Sequence, residues 1–491
     1  MKPELNNQTP IKGQKILLRG FDAEQEAEAK NLLVKHGYQV ATSIALADVL
    51  VVGMGDATTA VEVAKKSKIP VTSWSDFRSR LSETVSQSTI AELPCHPAVK
   101  VGRDYVHILD QVLPRSKANN GPVPSADQFW HICLDACFMR NARAVAVGVR
   151  HGLPVALEGE TAASKTAAIL WVAGLMGQPV VRLNLHGQSD TGELIGRYVP
   201  NARKSVRNGN GLVDGNHVMF NPASKASKRP ASPNRCRTCS VEDRSSLASW
   251  VFQEGYVPQA MRQGWWVILD EMNLAEPQVL ERLNPVIEQP PSLVLSESDG
   301  TIFGASGTVP VASGFRMFAT LNPADYVGRS VLSPAFRDRW PIWHHAESPS
   351  ESDFAAMLRF LIFGEQPEFI FHGKRYQAPP GRRLYHELAS VHGIQDVLPR
   401  LALFHSSLYQ ASGMGGAAPA LGRLRRERYV FTRRELLTCL QLLQRARAEN
   451  PGTSFDAQLH EAIEIAYLGR ISGADRSAVI SLLRAAGLPE K

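Results

Sequence analysis

The pattern of apolar and polar positions predicts a small α/β unit at residues 14–85. Short apolar runs with the length of buried strands alternate there with longer segments in which apolar residues recur at helical spacing. The first helical segment ends at Gly37, and glycine commonly follows the last turn of a helix. Strands are predicted at 14–21, 38–43, 47–53 and 69–73, and helices at 23–37, 57–68 and 74–81.

The order of these elements resembles a BRCT domain, especially the type found in bacterial DNA ligases. The resemblance is carried by Asp48 to Gly53, Lys66 to Val71 and Phe77. BRCT domains bind other proteins, phosphopeptides or DNA ends. Phosphate-binding members have Ser or Thr after the first strand and Lys in the second helix, where this chain has Arg19-Gly20-Phe21 and Ala60. The resemblance therefore implies a protein-docking domain rather than one that binds phosphopeptides.

The rest of the chain is predicted to contain three further segments. Proline and small polar residues at 86–125 predict a linker. Residues 126–346 alternate helical and strand patterns, which predicts an α/β domain, and residues 347–491 are mostly helical by pattern.

A strand, a loop and a helix have the pattern of a phosphate-binding P-loop. The apolar strand Val155–Leu157 precedes the loop, and a strongly apolar helix follows it. Backbone N–H groups and the positive end of the helix dipole then face the anion. Lys165 would contact the β- and γ-phosphates of a nucleotide, and the Thr166 hydroxyl would bind Mg²⁺. The residues predicted to hold the nucleotide are Gly159, Glu160, Thr161, Ala162, Ala163, Ser164, Lys165 and Thr166.

This loop departs from the usual pattern G-x-x-x-x-G-K-[ST] at two positions. Ser164 precedes the lysine where glycine is usual, and Ala162 stands where many such loops have glycine. Glycine is favoured because it lets the backbone approach the phosphates without a side chain in between. Serine is small enough to fit, so we expect binding to be kept, and the effect on turnover stays open.

Two further apolar strands each end in polar side chains. Trp266–Leu269 runs into Asp270 and Glu271. Asp270 would hold Mg²⁺, and Glu271 would polarise the water that attacks the nucleotide. About fifty residues later, a second apolar strand ends at the amide of Asn322. The acids and the P-loop together predict a nucleoside-triphosphate hydrolase.

The order Lys165, Asp270-Glu271, Asn322, Arg339, Arg434 is similar to that of AAA+ ATPases. The resemblance implies that Asn322 orients the attacking water as sensor 1. It also implies that Arg339, with Arg337 as second choice, contacts the γ-phosphate of a neighbouring subunit. Arg434 would be a lid arginine of the sensor 2 kind, and a surface salt bridge is its alternative role. The implied fold class is α/β, with a P-loop parallel sheet core, a C-terminal helical lid and the small N-terminal domain.

The amino-acid sequences of residues 252–289 and 315–340 resemble those of the dynein-related group, which includes midasin, MoxR and McrB-type ATPases. The resemblance runs over roughly residues 145–345. It implies one β-hairpin within the second helix, here enlarged by a basic insertion at about 201–245, and a second hairpin at 293–314. It further implies ATP and Mg²⁺ as cofactors and a ring, usually a hexamer, that remodels a partner protein. In MoxR-like and midasin-like members that partner often carries a von Willebrand factor A domain.

The formal net charge of +7 is unevenly distributed. Two segments carry the excess of basic residues, the insertion and a second run at 421–434. One interpretation is that they contact nucleic acid or an acidic partner, and the other is that they are solvated surface. Cys236 and Cys239 have C-x-x-C spacing without an obvious second pair, so a metal or redox role stays open. No secretory signal or membrane-spanning run is evident, which predicts a cytoplasmic protein.

Three functions remain open at this point. The first is an ATPase that works as a chaperone on a separate protein, with the BRCT-like domain as its docking arm. The second is a DNA-associated ATPase in repair, replication or phage defence, which the basic segments and a sequence pI near 9.1 favour. The third is a nucleotide-binding switch with weak hydrolysis, suggested by Ser164 and Ala162.

Overall fold

A computed structural model of the chain describes residues 15–21, 26, 29–30, 33, 39–41, 43, 47–52, 58–67, 69, 71–73, 93–116, 120–125, 128–200, 250–323, 329, 331–414, 419–422 and 429–490. The chain divides into two compact units, 1–96 with 370–375 and 97–369 with 376–491. The C-x-x-C pair, Phe77 and the basic insertion lie outside the described residues. None of the helices that the structure describes has the length and apolar character needed to span a bilayer.

The first unit contains a parallel sheet. Its elements are β1 Lys15–Arg19, β2 Gln39–Val40, β3 Val49–Val52, α1 Thr58–Lys66 and β4 Val71–Ser73. The strand order is β2-β1-β3-β4, and every neighbouring pair is parallel. Ile16 and Leu17, which point to opposite faces of the sheet, belong to different buried clusters, so both faces are covered. The four predicted strands and the helix predicted at 57–68 are confirmed, and the BRCT assignment stays a prediction.

Short strands lie where the sequence predicted a linker, and all but the first of them belong wholly to the second unit. These are β5 Cys95–Pro97, β6 Val99–Val101, β7 Tyr105–Ile108 and β8 Gln111–Pro114. Strands β6, β7 and β8 form an antiparallel sheet. The prediction of a linker over 86–125 is therefore corrected for this stretch. Its physical basis is an alternation that buries Val106, Ile108 and Leu113 on one face.

A five-stranded parallel sheet forms the centre of the second unit. In order across the sheet, its strands are β10 Val180–Asn184, β13 Trp266–Asp270, β16 Arg316–Leu321, β9 Val155–Glu158 and β17 Ile342–His345. The three central strands β13, β16 and β9 are buried on both faces, as the continuous apolar runs predicted. The elements from the first long helix to the last strand of this sheet are α2 Ala136–His151, β9 Val155–Glu158, α3 Lys165–Met176, β10 Val180–Asn184, α4 Thr191–Leu194, β11 Gly196–Pro200, β12 Trp250–Glu254, α5 Tyr256–Gln263, β13 Trp266–Asp270, α6 Pro277–Glu281, α7 Asn284–Ile287, β14 Leu293–Val294, β15 Ile302–Phe303, β16 Arg316–Leu321, α8 Pro334–Arg337 and β17 Ile342–His345.

Two antiparallel hairpins interrupt this α/β arrangement. Strands β11 and β12 pair on either side of the basic insertion, and β14 pairs with β15. Both hairpins occur where the resemblance to dynein-related ATPases placed them. The fold class predicted from the sequence, an AAA+ type of α/β sheet with helices, is thus confirmed.

The chain after β17 is mainly helical, and residues 370–375 within it belong to the first unit. Its elements are α9 Glu351–Phe363, β18 Glu368–Phe371, β19 Lys374–Gln377, α10 Ile394–Ala411, α11 Arg433–Glu449, α12 Phe455–Ala466 and α13 Gly473–Ala485. Capping boxes begin two of these helices, Ser350 with Asp353 and Thr432 with Glu435. The helices share one buried apolar cluster. The helical pattern predicted for this part is confirmed, the two strands were missed, and the domain boundaries remain predictions.

Candidate functional site

The candidate site lies at the carboxyl edge of the parallel sheet. Strands β9, β16 and β13 are neighbours, and each ends next to a segment that the sequence singled out. The P-loop follows β9, Asn322 follows β16, and Asp270 is the last residue of β13. Because parallel strands end at the same edge, residues more than 100 positions apart meet there.

The P-loop is fixed by close backbone contacts. At Gly159 a side chain would not fit, since a Cβ atom there would lie 2.8 Å from the carbonyl oxygen of Ala346. The buried Asn141 of α2 donates a hydrogen bond of 2.9 Å from Nδ2 to the carbonyl oxygen of Ala163. Its Oδ1 lies 3.0 Å from Nε2 of His344 on β17. The loop is thus held by elements on both sides of it.

Ala162 and Ser164 adopt the backbone conformation that glycine would adopt most easily. Their φ angles are 64° and 59°, in the left-handed region. An L-residue with a side chain is disfavoured there by roughly 1–2 kcal/mol. The loop therefore keeps the conformation of a glycine-containing P-loop at a cost in backbone strain.

Replacing Ser164 or Ala162 by glycine is expected to stabilise the chain by about 0.5–1 kcal/mol each. Relief of the left-handed strain outweighs the added entropy of the unfolded chain, which is about 0.4–1 kcal/mol. Denaturant unfolding measures the change. Ala275→Gly is the matched control, because φ is −74° at this buried residue and no strain is relieved there. A loss of stability in Ser164→Gly equal to that of the control would contradict the strained loop.

Lys165 is the first residue of α3, and its ammonium group points back into the loop. Nζ donates to the carbonyl oxygens of Gly159 at 2.6 Å and Glu160 at 2.8 Å, and to Oδ1 of Asn322 at 2.8 Å. Burial lowers the pKa of Lys165 to about 8, against the opposing effects of Glu271 and other nearby charges. The side chain is therefore still mostly protonated at neutral pH. No side chain caps the N-terminus of α3 among the described residues.

Asp270 is surrounded by donors. Thr166 Oγ1 donates to its Oδ1 at 2.8 Å, and Thr320 Oγ1 donates to the same oxygen. Arg182 of β10 donates to Oδ2 through Nε at 2.7 Å and through a terminal nitrogen. Sequence analysis missed Arg182 and Thr320. Both are polar residues within mainly apolar strands, Arg182 in VVRLN and Thr320 in RMFATL, and this was the feature of the sequence that could have indicated them.

Glu271 follows β13 with φ of 57°, which is unusual for a residue with a side chain. Asn322 Nδ2 lies 3.1 Å from each of its carboxylate oxygens. Arg329 donates from a terminal nitrogen to Oε2 at 2.7 Å, and its side chain is only 11% exposed. Asn273 supports Asn322 by donating to its carbonyl oxygen at 2.7 Å. Arg329 was also missed, because its neighbourhood in the sequence gives no indication of its partner.

The three arginines proposed from the sequence lie in different places. Arg434, near the start of α11, lines the same cavity as the P-loop. Arg339 donates to Glu288 at 2.8 Å and to the carbonyl oxygen of Ala335 at 2.6 Å. The guanidinium of Arg337 lies 4.4 Å from the ring centroid of Trp343. Neither Arg337 nor Arg339 is among the described residues that line the cavity.

The cavity above the P-loop has a volume of about 390 Å³. Lys165, Arg182 and Arg434 line it together with Asp270 and Glu271. These three cations and two carboxylates leave a surplus of one positive charge in the lining. A surplus of positive charge favours the binding of phosphate groups. The hydroxyl of Thr166 and the carboxylate of Asp270 offer the hard oxygen ligands that Mg²⁺ prefers.

A second cavity of about 330 Å³ lies at the amino edge of the same sheet. It is lined largely by glycine, proline and apolar residues between Gly152 and Met317. Ligand sites of parallel sheets occur at the carboxyl edge. We therefore assign the candidate site to the cavity above the P-loop.

Comparison with known proteins finds similarity over part of the chain. Residues 244–340 match the model of the AAA domain (dynein-related subfamily). Midasin of Dictyostelium discoideum is 29% identical over 214 residues, which cover 43% of this chain and 3% of midasin. Midasin of Giardia intestinalis is 29% identical over 200 residues, 40% of this chain and 3% of that protein. The uncharacterized protein YojN of Bacillus subtilis (strain 168) is 31% identical over 102 residues, 21% of this chain and 31% of YojN.

The chain thus spans only 3% of the length of each of these midasins. The segment matched by the family model contains Asp270, Glu271 and Asn322, which meet the P-loop at one edge of the sheet. It also contains both hairpin strands β14 and β15 and the arginine-bearing helix α8. The match to the AAA domain (dynein-related subfamily) therefore falls on the segment that carries these acids and Asn322.

Proposed function

We propose that this chain is an ATPase that binds Mg·ATP in the cavity above the P-loop and hydrolyses it. The observation that carries the proposal is the row of hydrogen bonds from Lys165 through Asn322 to Glu271, beside the Thr166–Asp270 contact. A phosphate-binding cation, a water-orienting amide, a base and a metal ligand thus lie within one small volume. The family match of the segment that holds the acids supports the same conclusion.

Binding is assigned to the loop, the lid and the oxygen ligands. Backbone N–H groups of Gly159–Thr166 and the ammonium of Lys165 hold the phosphates. Arg434 reaches the same cavity from α11. Thr166 and Asp270 would hold Mg²⁺, which supplies charge neutralisation at the phosphates when it is bound.

Hydrolysis is assigned to Glu271 and Asn322. The oxygen of a water molecule attacks the γ-phosphorus while the bond between that phosphorus and the bridging β–γ oxygen breaks. Glu271 accepts the proton of the water, and the departing ADP takes the bridging oxygen with its electron pair. Asn322, within hydrogen-bond distance of both Lys165 and Glu271, orients the water between the base and the phosphate.

The assembly and the partner are proposed from the resemblance to dynein-related ATPases. In a ring, usually of six subunits, Arg339 or Arg337 would contact the γ-phosphate bound by the neighbouring subunit. Arg337 is half exposed and Arg339 about one-third exposed, so both can reach a neighbour after a change of side-chain conformation. The proposed role is that of a chaperone in the cytoplasm, which remodels a separate protein, with a von Willebrand factor A domain as a candidate target.

Glu271→Gln is the test of this function. The amide cannot accept the proton of water, so we expect kcat to fall by about 10²–10⁴-fold. The Kd for Mg·ATP should stay within about threefold, because glutamine keeps the size and one acceptor of the side chain. Hydrolysis is measured by phosphate release and binding by calorimetry. Assembly is measured as the mass of the particles in the presence of ATP. In that measurement the variant should retain nucleotide and remain oligomeric.

The control is Glu276→Gln, an exposed acid in the same segment. It should hydrolyse ATP like the parent. Parental hydrolysis by Glu271→Gln would show that the base is wrongly assigned. A parent protein that neither binds nor hydrolyses ATP would refute the proposed function as a whole.

A further inference from the structure

The carboxylate of Glu271 contacts two other side chains of the same chain. Asn322 Nδ2 bridges its two carboxylate oxygens at 3.1 Å each. Arg329 donates to one of these oxygens at 2.7 Å. The carboxylate thus has a fixed orientation, and Arg329 is a contact that neither the sequence motifs nor the family resemblance assigned.

The four side chains Lys165, Asn322, Glu271 and Arg329 form one continuous row of polar contacts. Lys165 donates to Asn322 at 2.8 Å, and Asn322 in turn donates to Glu271. Cations therefore stand at both ends of the row, with the carboxylate nearer to Arg329. A displacement of Arg329 would leave Glu271 held from one side only.

Burial makes this ion pair different from a surface salt bridge. The Arg329 side chain is 11% exposed and that of Glu271 is 33% exposed. A solvated pair contributes little to orientation, because water competes for both partners. A guanidinium that is largely removed from water keeps its contact with the carboxylate and restricts its rotation.

Glu271 has a particular need for such restraint. Its backbone lies in the left-handed region, with φ of 57°, immediately after the buried strand β13. The backbone therefore fixes the direction in which the side chain leaves the strand, and the remaining freedom lies in the side-chain torsions. Contacts at the carboxylate itself are what determine where its lone pairs point.

We propose that Arg329 is a positioning residue that fixes the Glu271 carboxylate for attack of water on the nucleotide. The proposal rests on the proposed function of the site. Arg329 acts through Glu271 and does not bind the phosphates. Its removal should therefore affect turnover while leaving nucleotide affinity unchanged.

Turnover and binding of Arg329→Ala are the first test. We expect kcat to fall by roughly 10–10²-fold, the loss typical of a displaced catalytic group. The Kd for the fluorescent analogue mant-ATP with Mg²⁺ should stay within about threefold. Arg329→Lys, which restores a cation but not the planar fork, should recover part of the lost kcat. Arg282→Ala is the matched control, since Arg282 pairs with Glu297 away from the site.

Three results would overturn the proposal. An unchanged kcat in Arg329→Ala would mean that the contact has no role in turnover. A Kd that rises in parallel with the loss of kcat would make Arg329 a phosphate ligand or a structural residue. An increased kcat would make the pair a restraint that inhibits hydrolysis.

A second measurement does not depend on turnover. In nucleotide-free protein, the losses of Tm in Arg329→Ala and Glu271→Ala should not add in the double variant, because each removes the same contact. Additive losses would overturn the pairing. If the parent does not hydrolyse ATP but the losses of Tm are non-additive, the proposed function and the role of Arg329 in turnover are refuted. The pairing of Arg329 with Glu271 would still stand. A hydrolysing parent with additive losses would refute only the inference about Arg329.

Discussion

Replacing Lys165 with alanine is expected to abolish binding of Mg·ATP at concentrations that saturate the parent. Loss of one partner from a buried, hydrogen-bonded charge interaction costs about 2–5 kcal/mol. This corresponds to a rise in Kd of roughly 30-fold to several thousandfold. Calorimetric titration with Mg·ATP measures the change, and Lys100→Ala, at an exposed strand position, is the control.

The same lysine should make the stability of the nucleotide-free protein depend on pH. Burial lowers the pKa of Lys165 to about 8 from an ordinary value of 10.5. The charged form is therefore less favourable in the folded chain than in the unfolded chain, and stability of the parent should rise as pH increases from about 8 to 10.5. Lys165→Met, which keeps the length of the side chain without the charge, should lose this rise.

The two effects together separate binding from folding. Lys165→Met should fail to bind Mg·ATP and yet unfold cooperatively at pH 7, with the helical circular dichroism of the parent. A variant that binds like the parent would show that the phosphates lie elsewhere. A variant that loses binding because it is unfolded would instead show a lower Tm and lost helical circular dichroism.

The main features of the site could be predicted because they are local in the sequence. Trp266–Asp270 reads as a buried strand that ends in an acid, and all five of its residues are buried. The P-loop follows an apolar strand and precedes an apolar helix, so its place in the fold is determined by a short segment. Asn322 ends the strand next to both. Parallel pairing then brings the three segments together without further information.

The contacts that sequence analysis missed depend on tertiary structure. Arg182 is a single charged residue in an apolar strand, and only the neighbouring position of β10 and β13 makes Asp270 its partner. Arg329 contacts Glu271 across 58 positions of the chain. The periodicity of apolar residues does not indicate which acid each of these arginines contacts, or how close the two side chains lie. The positive φ angles of Ala162 and Ser164 are likewise a property of the folded loop, although the missing glycines marked the positions.

The corrected linker illustrates a different limit. Strands β6, β7 and β8 have three or four residues each, and a two-residue turn at Leu109 and Asp110 joins the last two. Such short alternating segments lie close to proline-containing polar stretches, whose composition dominated the prediction. The arrangement is settled by packing against α2, where Arg143 donates two hydrogen bonds of 2.7 Å to Asp110.

Two adjacent arginines at the start of α11 have separate expected functions. Arg434 is exposed and lines the cavity above the P-loop. Arg433 lies 2.6 Å from a carboxylate oxygen of Asp135, the residue that caps α2, and the two side chains are 12% and 1% exposed. The buried pair of Arg433 and Asp135 thus joins α11 to α2. Helix α2 is also the helix that supports the P-loop through Asn141.

Loss of the Asp135 charge is expected to destabilise the chain by about 3–5 kcal/mol, because it leaves a buried guanidinium without its counter-charge. Asp135→Asn isolates the charge, since asparagine can still accept the capping hydrogen bond that Phe138 N–H donates at 2.8 Å. Arg433→Met should cost less. Burial raises the pKa of Asp135, so this carboxyl can take up a proton when its partner is lost, whereas a guanidinium cannot release one.

Denaturant unfolding of the variants measures these differences. Arg434→Ala is the control, with stability within about 0.5 kcal/mol of the parent and a weaker affinity for Mg·ATP. The double variant Asp135→Asn with Arg433→Met should be more stable than Asp135→Asn alone, because no unpaired charge remains buried. Equal losses in both single variants, without recovery in the double variant, would mean that packing rather than charge determines stability at this contact. The asymmetry between the two partners therefore decides whether the ion pair itself holds α11 against α2.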